Sequence, residues 1–305
     1  MENAYLCKAE MKTMTNNHIV IMAGGVGSRL YPLSTTEHPK QFLDLLGSGQ
    51  TLIQSTYERF REVDPSARFW VVTSERYIPF IHEQLPDIPD EQILPEPAAR
   101  NTAPCIAWAC WKILKRFSGA NIIVTPSDAF VSSIDFFAVT MRRALSFTAD
   151  KNAIVCIGIK PDKPHTGYGY IQVSEPELMG EAAVPVRVAA FKEKPDLETA
   201  KGYLARGGYY WNAGIFVWNA ATIEAEIRRH APQIAGVMDA LSPSFYTPQE
   251  QAAVERLFPT CENISIDYAV MEKSTEVYTL AADWPWSDLG SFEAIEALTG
   301  RRIPR

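Results

Sequence analysis

The stretch Ile19-Val20-Ile21-Met22-Ala23-Gly24-Gly25-Val26-Gly27-Ser28-Arg29-Leu30 decides how the rest of the chain is read. Four consecutive apolar residues, three of them β-branched, form a strand-like run that leads directly into glycines at 24, 25 and 27. Without a Cβ, these glycines let backbone N–H groups turn inward and approach an anion closely, as phosphate-cradling nests do. The loop is not a P-loop, because no Gly-Lys-Ser/Thr closes it, and Gly25 to Leu30 lacks the third glycine of the dinucleotide fingerprint. Arg29 follows the loop, and Lys40 comes eleven residues later in His38-Pro39-Lys40-Gln41. Two cations beside a glycine nest suit a triphosphate whose charge must be neutralised at the transferred phosphorus. The bland alternative is a tight turn with a solvated Arg and Lys.

Outward from this loop, short apolar runs at 19–22, 69–73, 122–125, 154–159, 187–191 and 214–218 alternate with amphipathic, helix-length stretches at 52–62, 103–117 and 136–149. That alternation predicts an α/β fold around a mostly parallel sheet. Strands that run straight into Gly, Pro or Asp place ligands at their carboxyl ends, as open α/β sheets do. Residues 175–183 read as a hairpin tip.

The 305 residues include 29 Lys+Arg and 36 Asp+Glu, a formal net charge of −7, with 47% hydrophobic and 21% charged residues. This balance excludes a disordered polyampholyte and argues against non-specific binding to nucleic acid or anionic membrane, while leaving room for a local basic pocket. Five cysteines (Cys7, Cys105, Cys110, Cys156 and Cys261) without a C-x-x-C pair predict reduced core thiols, not a disulfide framework or zinc knuckle. No apolar run approaches the ~20 residues of a membrane span. Residues 1–17 are mixed polar without an apolar h-region, so a flexible tail and a cytoplasmic location are expected.

Two aspartates invite a metal reading. Asp128, in Pro126-Ser127-Asp128, follows an apolar strand, and Asp288 lies in Trp286-Ser287-Asp288-Leu289-Gly290. Mg²⁺ prefers carboxylate oxygens, waters and substrate phosphates, although an Asx-turn and a helix cap would explain the same residues. Glu96-Pro97-Ala98-Ala99-Arg100-Asn101-Thr102 precedes a long helix pattern that Asn101 or Thr102 could cap. Glu193 can accept hydrogen bonds from sugar hydroxyls and Lys194 supplies a cation, while solvated lysines on a strand edge are the alternative.

The string Ala23 to Leu43 resembles the signature of the sugar-1-phosphate nucleotidyltransferases, and within them the bacterial mannose-1-phosphate guanylyltransferases. The likeness continues through Glu96–Pro104, Pro126–Asp128, Gly167–Ile171, Phe191–Pro195, Trp211–Phe216, Ser265–Lys273 and Trp286–Phe292. The resemblance implies a Rossmann-like nucleotidyltransferase fold with a central mixed, mostly parallel sheet flanked by helices. It also implies a single domain over 18–305 with no appended isomerase domain. The implied reaction moves GMP from GTP to α-D-mannose 1-phosphate with Mg²⁺, giving GDP-mannose and pyrophosphate. Arg29, Lys40 and Asp128 are then catalytic, and Asp128 and Asp288 hold the metal. Ala23, Gly24, Gly25, Gly27, Ser28, Glu96, Arg100, Asn101 and Thr102 meet the nucleotide, while Tyr168, Gly169, Glu193, Lys194 and Asn212 meet the sugar phosphate. A homodimer is the assembly the resemblance allows; the acidic balance and the short apolar runs predict no nucleic-acid or membrane partner. Ala129 stands where relatives carry His, and Ser28 where Thr is more usual. Two other readings stand beside this one: the same fold acting on another sugar 1-phosphate such as a heptose 1-phosphate, or on another nucleotide, and a catalytically silent regulatory paralogue that binds nucleotide sugar. Retention of Arg29, Lys40, Asp128, Lys194 and Asp288 together disfavours the silent paralogue.

Overall fold

A computed structural model describes residues 16–179 and 184–303. The expected tail over 1–17, and Cys7 within it, lies outside the described residues except for Asn16 and Asn17, and Asn17 already opens the first strand. The first half of the chain lays down β1 (Asn17–Met22), β2 (Arg68–Ser74), β3 (Ile93–Glu96) and β4 (Asn121–Pro126), all parallel and in the order β3-β2-β1-β4. Between and after them run α1 (Leu52–Val63), α2 (Ile78–Gln84), α3 (Thr102–Arg116) and α4 (Ile134–Thr148).

The strand β1 is apolar on both faces because both faces are covered. Ile19 and Ile21 join a core with Ile53 and Phe60 of α1 and with Phe137 and Met141 of α4. Val20 points the other way, into a core with Ile106 and Trp108 of α3. Full burial of each such side chain contributes about 1.5–3 kcal/mol, so the apolar run supplies the stability that holds the following loop in place. Thr51 caps α1 through a capping box with Gln54, which fixes where that helix starts.

The second half adds β5 (Phe130–Val131), β6 (Ile154–Ile159), β7 (Tyr170–Val173), β8 (Val186–Lys192), α5 (Leu197–Arg206), β9 (Tyr209–Asn219) and the helices α6 (Ala220–His230), α7 (Pro232–Leu241) and α8 (Glu250–Leu257). It finishes with β10 (Val277–Ala281), β11 (Trp286–Ser287) and α9 (Phe292–Thr299). The large sheet reads β3-β2-β1-β4-β9-β6-β10-β8-β7, and β7 also pairs with β9, so the last five strands close into a ring. The sheet is mixed, but the expectation of a mostly parallel one fails in this half. Every pairing of β9, β8 and β7 is antiparallel. The reason is connectivity, since β7 and β8 follow one another as a hairpin, not through a crossover helix. Of the expected tip at 175–183, Pro176–Leu178 form a short 3₁₀ turn, and residues 180–183 lie outside the described residues.

Among the described residues no helix is long and apolar enough to cross a membrane. Cys105, Cys110, Cys156 and Cys261 are buried and unpaired, as expected of core thiols. Burial pushes the thiols of Cys110 and Cys156 up to about 12.

Candidate active site

A cavity of about 450 Å³ opens at the carboxyl ends of β1 and β4, where the parallel half of the sheet meets the ring. The glycine loop forms one wall. Its carbonyls are tied back by side chains: Gln41 Nε2 donates to Ala23 O (3.0 Å) and Gly25 O (2.8 Å), Thr73 Oγ1 to Ala23 O (2.9 Å), and Ser34 Oγ to Val26 O (2.6 Å). The backbone N–H groups of Gly24 to Ser28 donate to no other described residue, which leaves them available to an anion. Gly27 sits at φ 67°, and a Cβ there would lie 2.9 Å from Lys40 Cγ and from Ser34 Oγ, so glycine is required. Ala23 differs from its neighbours. It is fully buried, its N–H is donated to Val72 O, and its carbonyl already accepts two bonds, so it shapes the loop without a free backbone group.

The two aspartates, 160 positions apart in sequence, are brought together by a two-stranded ladder in which Ser287 pairs with Phe130 and Trp286 with Val131. Lys40 joins them. Its Nζ lies 3.1 Å from Asp128 Oδ2 and donates to the Asp288 carbonyl at 2.8 Å, and its side chain is only 9% exposed. Arg29 Nη2 is 3.5 Å from Asp288 Oδ2, with a side chain 66% exposed. On Asp288, Oδ1 accepts from the Tyr168 hydroxyl (2.8 Å) and from Gly290 N (3.0 Å). Leu289, between Asp288 and Gly290, is buried at φ 47°, a conformation that costs a leucine about 1–3 kcal/mol and locks the aim of Asp288. Burial, and then the neighbouring Asp288 carboxylate, push the Tyr168 phenol well above its ordinary value, so it stays a hydrogen-bond donor. His165 stacks on Tyr168 with ring centroids 3.8 Å apart.

Across the cavity, Gly169, Glu193 and Asn212 come from β7, β8 and β9 or their ends. A Cβ on Gly169 would lie 2.5 Å from Glu193 Oε2. Glu193 is paired with Lys194, which itself takes φ 45°. Asn212 accepts from Gly214 N (2.9 Å) at an irregularity in the β6–β9 register, and donates to Asp267 Oδ1 (3.2 Å). Asp267 opens a π-helical turn, Asp267–Met271, and also lines the cavity. Burial, and secondarily the charge of Glu193, raise its carboxyl to about 6. No role for Asp267 followed from its residue type alone; the only signal was its place in Ser265-Ile266-Asp267-Tyr268.

Of the sequence-predicted residues, Gly27, Ser28, Arg29, Lys40, Thr102, Asp128, Tyr168, Gly169, Glu193, Asn212 and Asp288 line this one cavity. Gly24, Gly25, Glu96, Arg100, Asn101 and Lys194 do not line it. Glu96, at the end of β3, sits against Gly24, where a Cβ would be 3.1 Å from Glu96 Oε2. Burial raises the Glu96 carboxyl to about 8. Asn101, at φ 66°, caps α3 by accepting from Thr102 N (2.9 Å), so the capping role is realised. Thr102 Oγ1 accepts from Ile266 N (2.9 Å), tying that turn to the segment that carries Asp267. Among the described residues no cluster of three or more His, Cys, Asp or Glu has metal-binding geometry.

A glycine loop, cations and two carboxylates share one cleft of a mixed α/β sheet. The chain belongs to the nucleotidyl transferase family, whose pattern matches residues 18–300. It is 38% identical over 287 residues to mannose-1-phosphate guanylyltransferase of Escherichia coli K12, a match covering 90% of this chain and 58% of that protein. The chain thus spans little more than half the length of that relative. Among solved structures it is similar to a Thermus thermophilus protein described as mannose-1-phosphate geranyltransferase, with TM-score 0.82, 31% identity, and coverage of 94% of this chain and 80% of that one. It is also similar to a Helicobacter pylori structure described as mannose-6-phosphate isomerase, with TM-score 0.72, 25% identity, and coverage of 89% and 99%.

Proposed function

We propose that this chain transfers GMP from GTP to α-D-mannose 1-phosphate, releasing GDP-mannose and pyrophosphate, and that residues 18–305 act as one catalytic unit. The observation that carries the reading is the junction at Lys40, where a buried cation meets both Asp128 and the Asp288 backbone beside the glycine loop. The relative named mannose-1-phosphate guanylyltransferase supports the choice of nucleotide and sugar. The order β3-β2-β1-β4 supports a Rossmann-like reading of the first half.

The donor set fits Mg²⁺. Asp128 and Asp288 offer two carboxylates to one cavity, and Asp288 keeps Oδ2 clear of its two hydrogen bonds on Oδ1. One or two carboxylates with waters and substrate phosphates is how Mg²⁺ is usually held. Bound there, the ion would neutralise charge at the α-phosphate.

The protein's own residues do the rest. The free N–H groups of the glycine loop and Arg29 hold the β- and γ-phosphates, and Lys40 meets the α-phosphate. Glu96 and the Arg100–Thr102 turn contact the guanine. Gly169, Glu193 and Asn212 orient the mannose hydroxyls, with Lys194 on its phosphate and Tyr168 holding Asp288. A sugar-phosphate oxygen attacks the α-phosphorus in line, forming the new P–O bond as the bond to pyrophosphate breaks. No protein nucleophile is required, because the attacking phosphate is already anionic at neutral pH. The test is pyrophosphate release from GTP and mannose 1-phosphate with Mg²⁺, run beside other nucleotides and sugar 1-phosphates. Faster release with another pair reassigns the substrates, and GDP-mannose binding without any release reassigns the chain as a binding subunit.

A further inference from the structure

The loop that carries Asp128 is held from behind by a helix outside the cavity. Asp128 sits between β4 and β5, and both carbonyls that flank it are bonded by side chains of α1. Thr56 Oγ1 donates to Ser127 O at 3.1 Å, and Arg59 Nη2 donates to Ala129 O at 2.9 Å. Residues three apart lie on one face of a helix, so the two donors form a single rack under the loop. The same helix reaches the second aspartate: Leu52, its first residue, packs in a cluster with Leu289 and Leu30.

Arg59 is an expensive way to build a packing contact. It is 5% exposed, and no described carboxylate forms an ion pair with it. Its guanidinium lies over the Phe137 ring at 5.6 Å from the centroid, and it lines a cavity of about 320 Å³ together with Glu58 and Glu62. Burial lowers it to about 10, which leaves it protonated at neutral pH. An apolar residue of similar volume would fill this place without desolvating a charge. What the arginine adds is a charge-assisted bond to the carbonyl next to Asp128, stronger than a neutral donor would make.

We propose that Arg59, seconded by Thr56, is a positioning residue that fixes the Asp128 carboxylate for its divalent metal from the far side of the loop. This role rests on the reading of Asp128 as a metal ligand. Outer partners of metal ligands typically tune affinity by about 10–100-fold, and the bond here runs through the backbone of the adjoining residue, so the low end applies.

The experiment measures GTP binding by calorimetry in Mg²⁺ and in EDTA, and takes the ratio of the two affinities as the metal advantage. Asp128→Asn should erase the advantage. Arg59→Met, which keeps an unbranched apolar stem and removes the guanidinium, should reduce it by about tenfold, with GTP affinity in EDTA and KM for mannose 1-phosphate unchanged, and Arg59→Lys should restore part of it. An advantage that Asp128→Asn removes but Arg59→Met leaves intact overturns the role of Arg59 alone. An Arg59→Met protein that loses affinity equally in EDTA also overturns it, because a merely structural role predicts that pattern. A wild-type affinity indifferent to Mg²⁺ overturns the metal reading of Asp128 and this role with it. If Arg59→Met does not fold, Thr56→Val removes the other donor at constant shape, and its metal advantage should fall by about threefold. An unchanged advantage in Thr56→Val then overturns the rack.

Discussion

Replacing Asp128 by Asn should tighten the binding of GTP when no metal is present and weaken it when Mg²⁺ is. The cations proposed to meet phosphate are paired with acids: Lys40 with Asp128 at 3.1 Å and Arg29 with Asp288 at 3.5 Å. A metal-free triphosphate must take Lys40 from Asp128 and leave that carboxylate facing its own negative charge. At 3.1 Å and an effective dielectric of about 20, the gross attraction is about 5 kcal/mol. Asp128 is 25% exposed and Lys40 keeps its bond to the Asp288 carbonyl, so most of that is recovered through solvent and the remaining contact. A net gain of about 1–2 kcal/mol remains, or roughly 5- to 30-fold in Kd. Calorimetric titration of GTP in EDTA reads the gain, and the same titration in Mg²⁺ reads the loss. Metal-free affinity equal to or weaker than wild type would refute the idea that Asp128 and phosphate compete for Lys40.

Three further outcomes follow from the same geometry. Gly169→Ala would put a Cβ 2.5 Å from Glu193 Oε2, so steady-state kinetics should show KM for mannose 1-phosphate rising by about tenfold or more with GTP affinity unchanged. Tyr168→Phe removes the 2.8 Å bond to Asp288 and should lower kcat/KM by about 2- to 10-fold, most at limiting Mg²⁺; equal loss at all Mg²⁺ levels would assign Tyr168 elsewhere. Glu96 has a carboxyl raised from 4.5 to about 8, so its contribution to stability is present below 4.5 and is lost as pH rises through 8. Glu96→Gln removes that dependence, and thermal melts should show it stabilising at pH 9 and close to neutral at pH 4.

In the parallel half, β1, β2 and β4 were legible because their signals are local, while the four-residue β3 and the short α2 were not. The run Ile19–Met22 is apolar because both of its faces are covered, and its glycines follow at once in sequence. In the ring, β6, β8 and β9 were marked by their apolar runs, but β7, β10 and the largely antiparallel pairing were not legible in composition. β7 and β10 are four and five residues long, too short for periodicity to mark, and β5 and β11 have two residues each. Yet it is the β5–β11 ladder that sets Asp128 beside Asp288, so the pairing of the two carboxylates rested on family resemblance alone. The electrostatics were likewise hidden. Nothing in residue type distinguishes Asp267, raised to about 6, from a solvated aspartate, since the cause is burial and the facing Glu193. Arg59 reads as one polar position on an amphipathic helix, and only the tertiary structure shows it buried and bonded to the Ala129 carbonyl.

The central claim is a single in-line displacement at the α-phosphorus of GTP within this cavity, with no covalent intermediate on the protein. The most direct test uses GTP carrying one sulfur on the α-phosphorus in defined configuration, with mannose 1-phosphate as acceptor, and reads the stereochemistry of the thio-GDP-mannose by ³¹P NMR. One displacement predicts clean inversion. Retention would require two displacements and a nucleotidyl-protein intermediate, and would contradict the account.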